Sequence, residues 1–467
     1  MTPAGEQTDV LVIGGGNAAL VSALTAADTG ARVLLLERAP AAFRGGNSRH
    51  TRNIRCAHDT GDDFTTGPYP YDELRHDLYS VGTGPGDERL ADLTIRQSMD
   101  APAWMTAHGA HWQPALSGTL NLARTNRFFL GGGKALLNSY YRTAERSGVR
   151  IAYDRTVTHL EFDGPTCTEA RTADGRRIRA AAVICASGGF EADLGWLGRY
   201  WGDAVQGFHV RGPSYNDGTV LRELLDAGAR RAGEERGFHA VAVDARSPRY
   251  DGGIATRIDS IPFGIVVNRE GHRFYDEGED IWPKRYAIWG RNIALQPGQI
   301  AYALWDTKVQ GAFLPPMYGS YTAKTVEELA GLLGLDQRAV TETVDAYNAA
   351  VDRGGAARRP FTMARPDGRA TAGLDPPKSN WAQRLDTPPY RAVPMRPGIT
   401  FTYLGVAVTD RARVRRAEGD TFRNVFAAGE IMSGNILSTG YLAGFGMTIG
   451  TVWGRIAGRE AARHALG

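Results

Sequence analysis

The chain has 467 residues, 42% hydrophobic and 22% charged, a balance that fits a folded globular protein and excludes a disordered or fibrous one. Its 54 basic and 51 acidic residues leave a net charge of +3, too little to draw nucleic acid or an anionic membrane by charge alone. A length about three times the usual ~150-residue domain predicts two domains, or one domain carrying an insertion.

The three cysteines, Cys56, Cys167 and Cys185, form no C-x-x-C spacing. They predict no metal site and no disulfide framework, and so a reduced, cytoplasmic protein. The polar stretch after Met1 holds no signal-peptide core, and no run reaches the ~20 apolar residues of a membrane helix. Glycine, at 58 residues, is about 12% against the usual ~7%, which implies many tight turns and close approaches of backbone to a ligand. Five basic residues are lysines and the other 49 arginines, so a single arginine is a weak signal.

The first 40 residues are the most legible. Asp9 to Ile13 is an apolar strand ending in Gly14-Gly-Gly16, Ala18 to Thr29 suits a closely packed helix, and Ala31 to Glu37 is a second buried strand ending in an acid. Gly14-x-Gly16-x-x-Ala19 within this strand–turn–helix–strand unit is a dinucleotide fingerprint. The first glycine makes the turn, the second admits a pyrophosphate, and the small third residue lets helix and strand pack. Glu37 is placed to accept hydrogen bonds from ribose hydroxyls and disfavours a 2′-phosphate, leaving FAD or NAD. Ala181 to Ala186 and Asn424 to Gly429 read as strands returning to the same sheet. Between them, Ile261 to Asn268 is a strand, Thr325 caps a helix, and Asp336 to Asp352 forms the next. Arg358 to Pro397, rich in Pro, Arg and Gly, is a predicted surface linker.

Segments near both termini decide between the two cofactors. Arg44-Gly-Gly-Asn-Ser48 and Ala-Ala-Gly429-Glu430 with Gly434-Asn-Ile-Leu-Ser438 are unexplained by an NAD fold. They match a flavin's need for donors along its pyrophosphate, ribityl chain and pyrimidine edge. Gly46-Asn-Ser-Arg-His-Thr-Arg-Asn53, Thr125 to Ala135 and Gly429 to Gly446 resemble the flavoproteins of the fumarate reductase and succinate dehydrogenase group, and within it the tricarballylate dehydrogenases. The resemblance runs over essentially the whole chain. It implies an α/β fold: a Rossmann-like FAD-binding domain in two parts, 1–236 and 398–467, with an α+β capping domain inserted at 237–397. It implies FAD, held without a covalent link, at Gly14, Gly16, Asn17, Ala18, Glu37, Arg38, Gly46, Asn47, Ser48, Gly188, Gly429, Glu430, Asn435, Leu437 and Ser438, with Val157 at the adenine.

The same resemblance implies hydride transfer at the flavin coupled to proton transfer at a neighbouring carbon activated by a carboxylate. His239 of the Phe-His pair and Thr256 are carboxylate-binding candidates, and Arg257 stands where the group has Glu, adding a cation. Arg285 is the expected proton carrier, with Lys284 and Arg291 as further candidates. Two carboxylate ligands of fumarate reductases are replaced, one by the Thr400 to Gly405 segment that includes Tyr403 and one by Tyr441, which argues against plain fumarate or succinate. His50 and Arg52 follow directly on Asn47-Ser48 and are expected to restore cations, while Phe128, Phe129 and Trp282 are candidate cavity walls. Tyr441-x-x-Gly444 also resembles 3-ketosteroid 1-dehydrogenases, whose tyrosine polarises a ketone. The expectation is therefore a dehydrogenase or ene-reductase of a small polycarboxylate such as tricarballylate, working with a separate electron carrier. A desaturase of a carbonyl-activated substrate, or a flavin subunit inactive alone, stand as alternatives.

Overall fold

The computed structural model describes residues 6–467 apart from 83, 85, 116–121 and 364, and, at 283, the backbone alone. Strand β1 (Glu6–Ile13) leads through the glycine turn into helix α1 (Asn17–Asp28) and then β2 (Val33–Leu36), as the apolar runs and turn glycines require. Val10 to Ile13 and all of β2 are buried, because a parallel sheet with helices on both faces leaves no strand face to water. Strand β3 (Arg177–Cys185) lies parallel to β1, with Ile13 opposite Cys185. The sheet runs from Arg413–Arg415 through Thr421–Ala427, β3, β1 and β2 to Arg150–Ala152, and an antiparallel hairpin, Val157–Asp163 with Thr166–Thr172, joins its β3 side.

A second sheet covers the carboxyl ends of these strands. Its elements are β4 (Phe238–Asp244), Ile265–Asn268, Ala301–Trp305, Tyr321–Ala323, the long β5 (Tyr390–Thr402) and the short strand His209–Val210. Ile261–Phe263, expected as strand, is a turn of 3-10 helix because Pro262 withholds a ladder donor. Thr325 accepts from Glu328 N (3.1 Å) and Asp336 from Ala339 N (2.9 Å), capping the two predicted helices.

One expectation fails. The end of the predicted surface linker is β5, the strand to which the other strands of the second sheet pair or connect, and Ala392, Val393, Met395 and Ile399 are fully buried. Pro394 and Pro397 disguise it, since proline normally marks an edge strand or no strand.

The closing helix α2 (Phe445–Leu466) packs on α1 through Gly450, Gly454 and Gly458. The main core runs continuously beneath both sheets, and a smaller cluster lies under the capped helix pair, around Val340, Tyr347 and Ala382.

Candidate active site

A long cavity lies between the two sheets, lined by residues of both, from the glycine turn at one end to a group of arginines at the other. One end is built by the glycine turn. A Cβ on Gly14, whose φ is +121°, would stand 2.3 Å from the Ala186 carbonyl oxygen, and one on Gly15 would stand 2.0 Å from Glu37 Oε2. Both positions therefore exclude a side chain. No side chain caps α1 at Gly16, so the orphan N–H groups of its first turn, with the positive end of the helix dipole, face the cavity. Asn17 N donates to Ser48 Oγ (3.0 Å), tying the helix to the 46–50 turn.

Glu37 accepts from Ala39 N (2.8 Å) and Gly45 N (3.3 Å), and burial raises its carboxyl above the ordinary range. Arg38 pairs with Asp217 at 2.6 Å. Asn47 Nδ2 donates to Thr400 O (2.6 Å) and Glu191 Oε1 (2.5 Å), joining the first domain to β5. Gly14, Gly16, Asn17, Ala18, Glu37, Arg38, Gly46, Asn47, Ser48, Val157, Gly188, Gly429 and Glu430 all line this cavity.

The other end is cationic. Arg52, Arg211 and Arg257 line it with His50, His239, Tyr286, Thr400, Phe401 and Tyr441. Arg257 is held in a two-point pair with Asp259 (2.7 and 2.8 Å), and Trp282 Nε1 donates to the same carboxylate (2.7 Å). Burial opposes the Arg257 charge, but Asp259 outweighs it and holds the guanidinium above its ordinary value.

Arg211 is differently placed. It donates to Gly253 O (2.9 Å) and Thr400 Oγ1 (3.0 Å), with no carboxylate in reach. Arg52 makes no side-chain hydrogen bond or ion pair among the described residues and lies over Phe128. Burial and the neighbouring guanidiniums bring both down to about 10, which still leaves them charged at neutral pH.

His239 stacks on Tyr441 with ring centres 3.9 Å apart and meets Tyr286 edge-on at 5.5 Å. Burial, then Arg211 and Arg257, push its pKa well below the ordinary value, so the imidazole is neutral. His50 sits at the rim with Nε2 2.6 Å from Asp251 Oδ1; burial lowers its pKa despite that carboxylate.

Several expected site residues lie elsewhere. Arg285 does not line the cavity; it is half-buried and pairs with Glu279 at 3.2 Å. It occupies a helical turn in which the next residue, Tyr286, points in, and neighbouring helical positions are ~100° apart. Lys284 pairs with Asp77 (2.7 Å) in a separate pocket that Trp282 also lines. Thr256 donates to Gly252 O (3.3 Å) and Tyr403 to Gly440 O (2.9 Å), both outside the cavity wall. Asn435 is spent on Val406 O (2.9 Å) and Met432 O (2.6 Å), Leu437 is core, and Ser438 is not part of the wall. Phe128 and Phe129 pack behind the wall. Arg211, Tyr286 and Phe401 were not singled out in the sequence, because they belong to no glycine or histidine motif and Arg211 is one of 49 arginines.

The FAD binding domain family model matches residues 9–446. The chain belongs to that family. Among its relatives are a probable fumarate reductase of Shewanella frigidimarina, 27% identical over 99% of this chain and 76% of the relative, and an NADH:fumarate oxidoreductase of Klebsiella pneumoniae, 26% identical over 98% of this chain. This chain spans about half (48%) of the Klebsiella protein's length. Two solved structures share the fold. The open conformation of a flavocytochrome c3 fumarate reductase superposes with a TM-score of 0.75 (24% identity, 100% of this chain, 80% of that chain). A 3-ketosteroid-delta4-(5alpha)-dehydrogenase from Rhodococcus jostii, in complex with 4-androstene-3,17-dione, gives 0.73 (22% identity, 99% and 98%).

This FAD-binding family member is an FAD-dependent oxidoreductase of the kind that acts on CH–CH groups, and its cavity fits the cofactor. The glycine turn and bare helix N-terminus suit a pyrophosphate, and the buried Glu37 carboxyl beside Val157 suits a ribose and adenine. Among the described residues no helix is long and apolar enough to cross a membrane.

Proposed function

We propose that this protein desaturates, or in reverse reduces, the bond between the α and β carbons of a small acid carrying at least two carboxylates, with tricarballylate the first compound to try. The observation that carries the reading is the pair Arg211, buried, and Arg52, half-buried, two guanidiniums lining the cavity that have no ion-pair partner among the described residues. A buried cation without a counter-ion is costly, and a substrate carboxylate on each removes that cost with charge-assisted hydrogen bonds. Arg257, already neutralised by Asp259, offers weaker attraction and instead orients the group beside it. His239, neutral and in contact with Tyr441, serves as a hydrogen-bonding partner rather than as a third cation.

Bound FAD supplies the two-electron centre that takes or gives a hydride. The chain's own residues hold the acid, acidify its α-carbon by binding the carboxylate, and exclude water behind Phe401 and Tyr441. We take 1–236 and 398–467 as the FAD-binding unit and 237–397 as the cap. FAD is held without a covalent link, and electrons pass to or from a separate carrier. The three buried, unpaired cysteines suit a reducing compartment.

The test is anaerobic. Tricarballylate added to the holoprotein should bleach the flavin absorbance, and acid precipitation should release the flavin into the supernatant. Arg52→Met and Arg211→Met should each raise the concentration needed for half-bleaching at least ~100-fold while leaving flavin content unchanged. A second reading, a carbonyl-activated substrate, rests on Tyr441, whose hydroxyl accepts from Gly446 N (3.0 Å) and keeps its own proton for a ketone. It leaves Arg52 and Arg211 uncompensated; bleaching by a cyclic ketone and not by polycarboxylates would favour it.

A further inference from the structure

We infer that Tyr286 is the catalytic acid–base of this site, the group that takes the α-proton in desaturation and returns it in reduction. The inference rests on the reading of a carboxylate substrate given above. Proton transfer needs a group with an exchangeable proton, open to the substrate and not committed to another partner. Arg285 is outside the cavity. Tyr403 gives its proton to Gly440 O. His239 has its Nδ1 buried without a partner, and its ring is packed between Tyr441 and Tyr286 among cations that oppose its protonation. Arg257 is locked onto Asp259.

Tyr286 meets each requirement. It lines the cavity, its hydroxyl has no hydrogen-bond partner among the described residues, and it is not among the oxygens sealed from solvent-sized space. The Arg257 guanidinium lies over its ring at 5.1 Å. Burial holds the phenol above its ordinary value, and Arg257, Arg211, Arg52 and Arg55 offset part of that rise. Tyr441, the competing phenol, has Arg211 and Arg55 and the Gly446 N–H as its stabilising groups, and Tyr286 itself works against its ionisation. A phenol oxygen open to the cavity among these guanidiniums is also next to the places where the substrate carboxylates bind, which brings the α-carbon to it.

The step balances. In desaturation the phenol first gives its proton to solvent; the α-C–H bond then breaks and its proton goes to that oxygen, the electron pair forms the new C=C bond, and bound oxidised FAD would take the hydride that leaves the β-carbon. Reduction runs the same transfers backwards and returns the proton from the phenol.

The experiment compares wild type, Tyr286→Phe, Tyr441→Phe and Arg285→Ala as holoproteins, with tricarballylate, succinate and a cyclic ketone as probes. Three readouts are taken: the spectral shift on ligand binding, the rate of anaerobic bleaching, and exchange of the ligand's α-hydrogen in D2O. Expected for Tyr286→Phe is unchanged flavin content, a dissociation constant for tricarballylate within threefold of wild type, and bleaching and exchange both slowed at least ~100-fold. Arg285→Ala should stay within threefold throughout. Tyr286→Phe retaining more than a third of the wild-type bleaching rate would overturn the assignment while leaving the carboxylate reading intact. So would loss confined to binding, or a larger loss in Tyr441→Phe. A wild type that bleaches with the ketone alone, or with none of the three, would overturn the carboxylate reading and this assignment with it.

Discussion

Glu191 meets Glu430, which lines the cofactor cavity, and both are buried. Glu191 Oε1 accepts from Asn47 (2.5 Å) and Asn216 (2.6 Å), Glu430 Oε1 accepts from Thr402 N (2.8 Å), and Glu191 Oε2 has no donor of its own. The two carboxyls lie within reach of each other, so a single proton shared between them is what satisfies the pair. Burial raises both pKa values, and for Glu430 the charge of Glu191 raises it further. A carboxyl raised on folding stabilises fully below its ordinary value of 4.5, and that contribution is lost as pH rises toward the folded value. The stability of the holoprotein should therefore fall as pH rises above 4.5, with a slope of up to about 1.4 kcal/mol per pH unit from this pair, read as a falling melting temperature. Glu191→Gln places a permanent N–H where Oε2 stands and should flatten that decline; parallel melting curves for the two proteins would sink the shared proton. Residues of this kind are legible where a motif names them, as Asn47, Glu430, His239 and Arg52 were. Arg285 is the proton carrier that residue type suggests, but the sequence does not supply helical phase, and one position around the turn separates Arg285 from Tyr286, which lines the cavity.

Helix α2 approaches α1 so closely that its glycines are obligatory. A Cβ at Gly450 would stand 2.9 Å from Asn17 Nδ2, at Gly454 2.8 Å from Ala18 O, and at Gly458 2.4 Å from Ser22 O. The i, i+4, i+8 spacing places all three on one face. Gly454→Val should push the helices apart at a cost of about 1–3 kcal/mol, read as a lower urea midpoint. Because Asn17 and Ala18 open α1 at the cofactor cavity, the same variant should also purify with a lower ratio of 450 to 280 nm absorbance. Full flavin content beside a lowered midpoint would separate the helix packing from the cofactor site. The first strand–turn–helix–strand unit was legible because buried parallel strands are continuous apolar runs broken by glycines. The strand β5 was not, because burial on both faces removes alternation and Pro394 and Pro397 imitate a linker; the ladders to Ala301–Trp305 and β4 that make it a strand come from residues far away in sequence.

At the scale of the molecule, the two layers are joined by polar contacts at one seam, where β5 meets the first domain. Thr400 O receives Asn47, Thr400 Oγ1 receives Arg211, and Thr402 N donates to Glu430. Just inside that seam lie Arg52, Arg211 and Arg257, of which only Arg257 has an ion-pair partner among the described residues, Asp259. Mutual repulsion of the three guanidiniums opposes packing of the second sheet against the first, and an anion bound between them reverses the sign of that interaction. A ligand that binds the folded state alone stabilises it by RT ln(1 + [L]/Kd), about 2.7 kcal/mol at one hundred times Kd, which for a chain of this size is a rise of a few degrees. Tricarballylate should give that rise, a monocarboxylate of similar size a smaller one, and a neutral ketone none. Because the Arg211 guanidinium is buried, the effect of tricarballylate should survive an increase from 0.05 to 0.3 M sodium chloride better than a surface ion pair would. In Arg52→Met and Arg211→Met the anion should raise the melting temperature less while the ligand-free proteins melt higher than wild type, since each substitution removes one uncompensated charge. Ligand-free variants that melt lower than wild type would show that the arginines hold the seam together by their own contacts, and that the cavity does not store the charge imbalance on which anion recognition is argued.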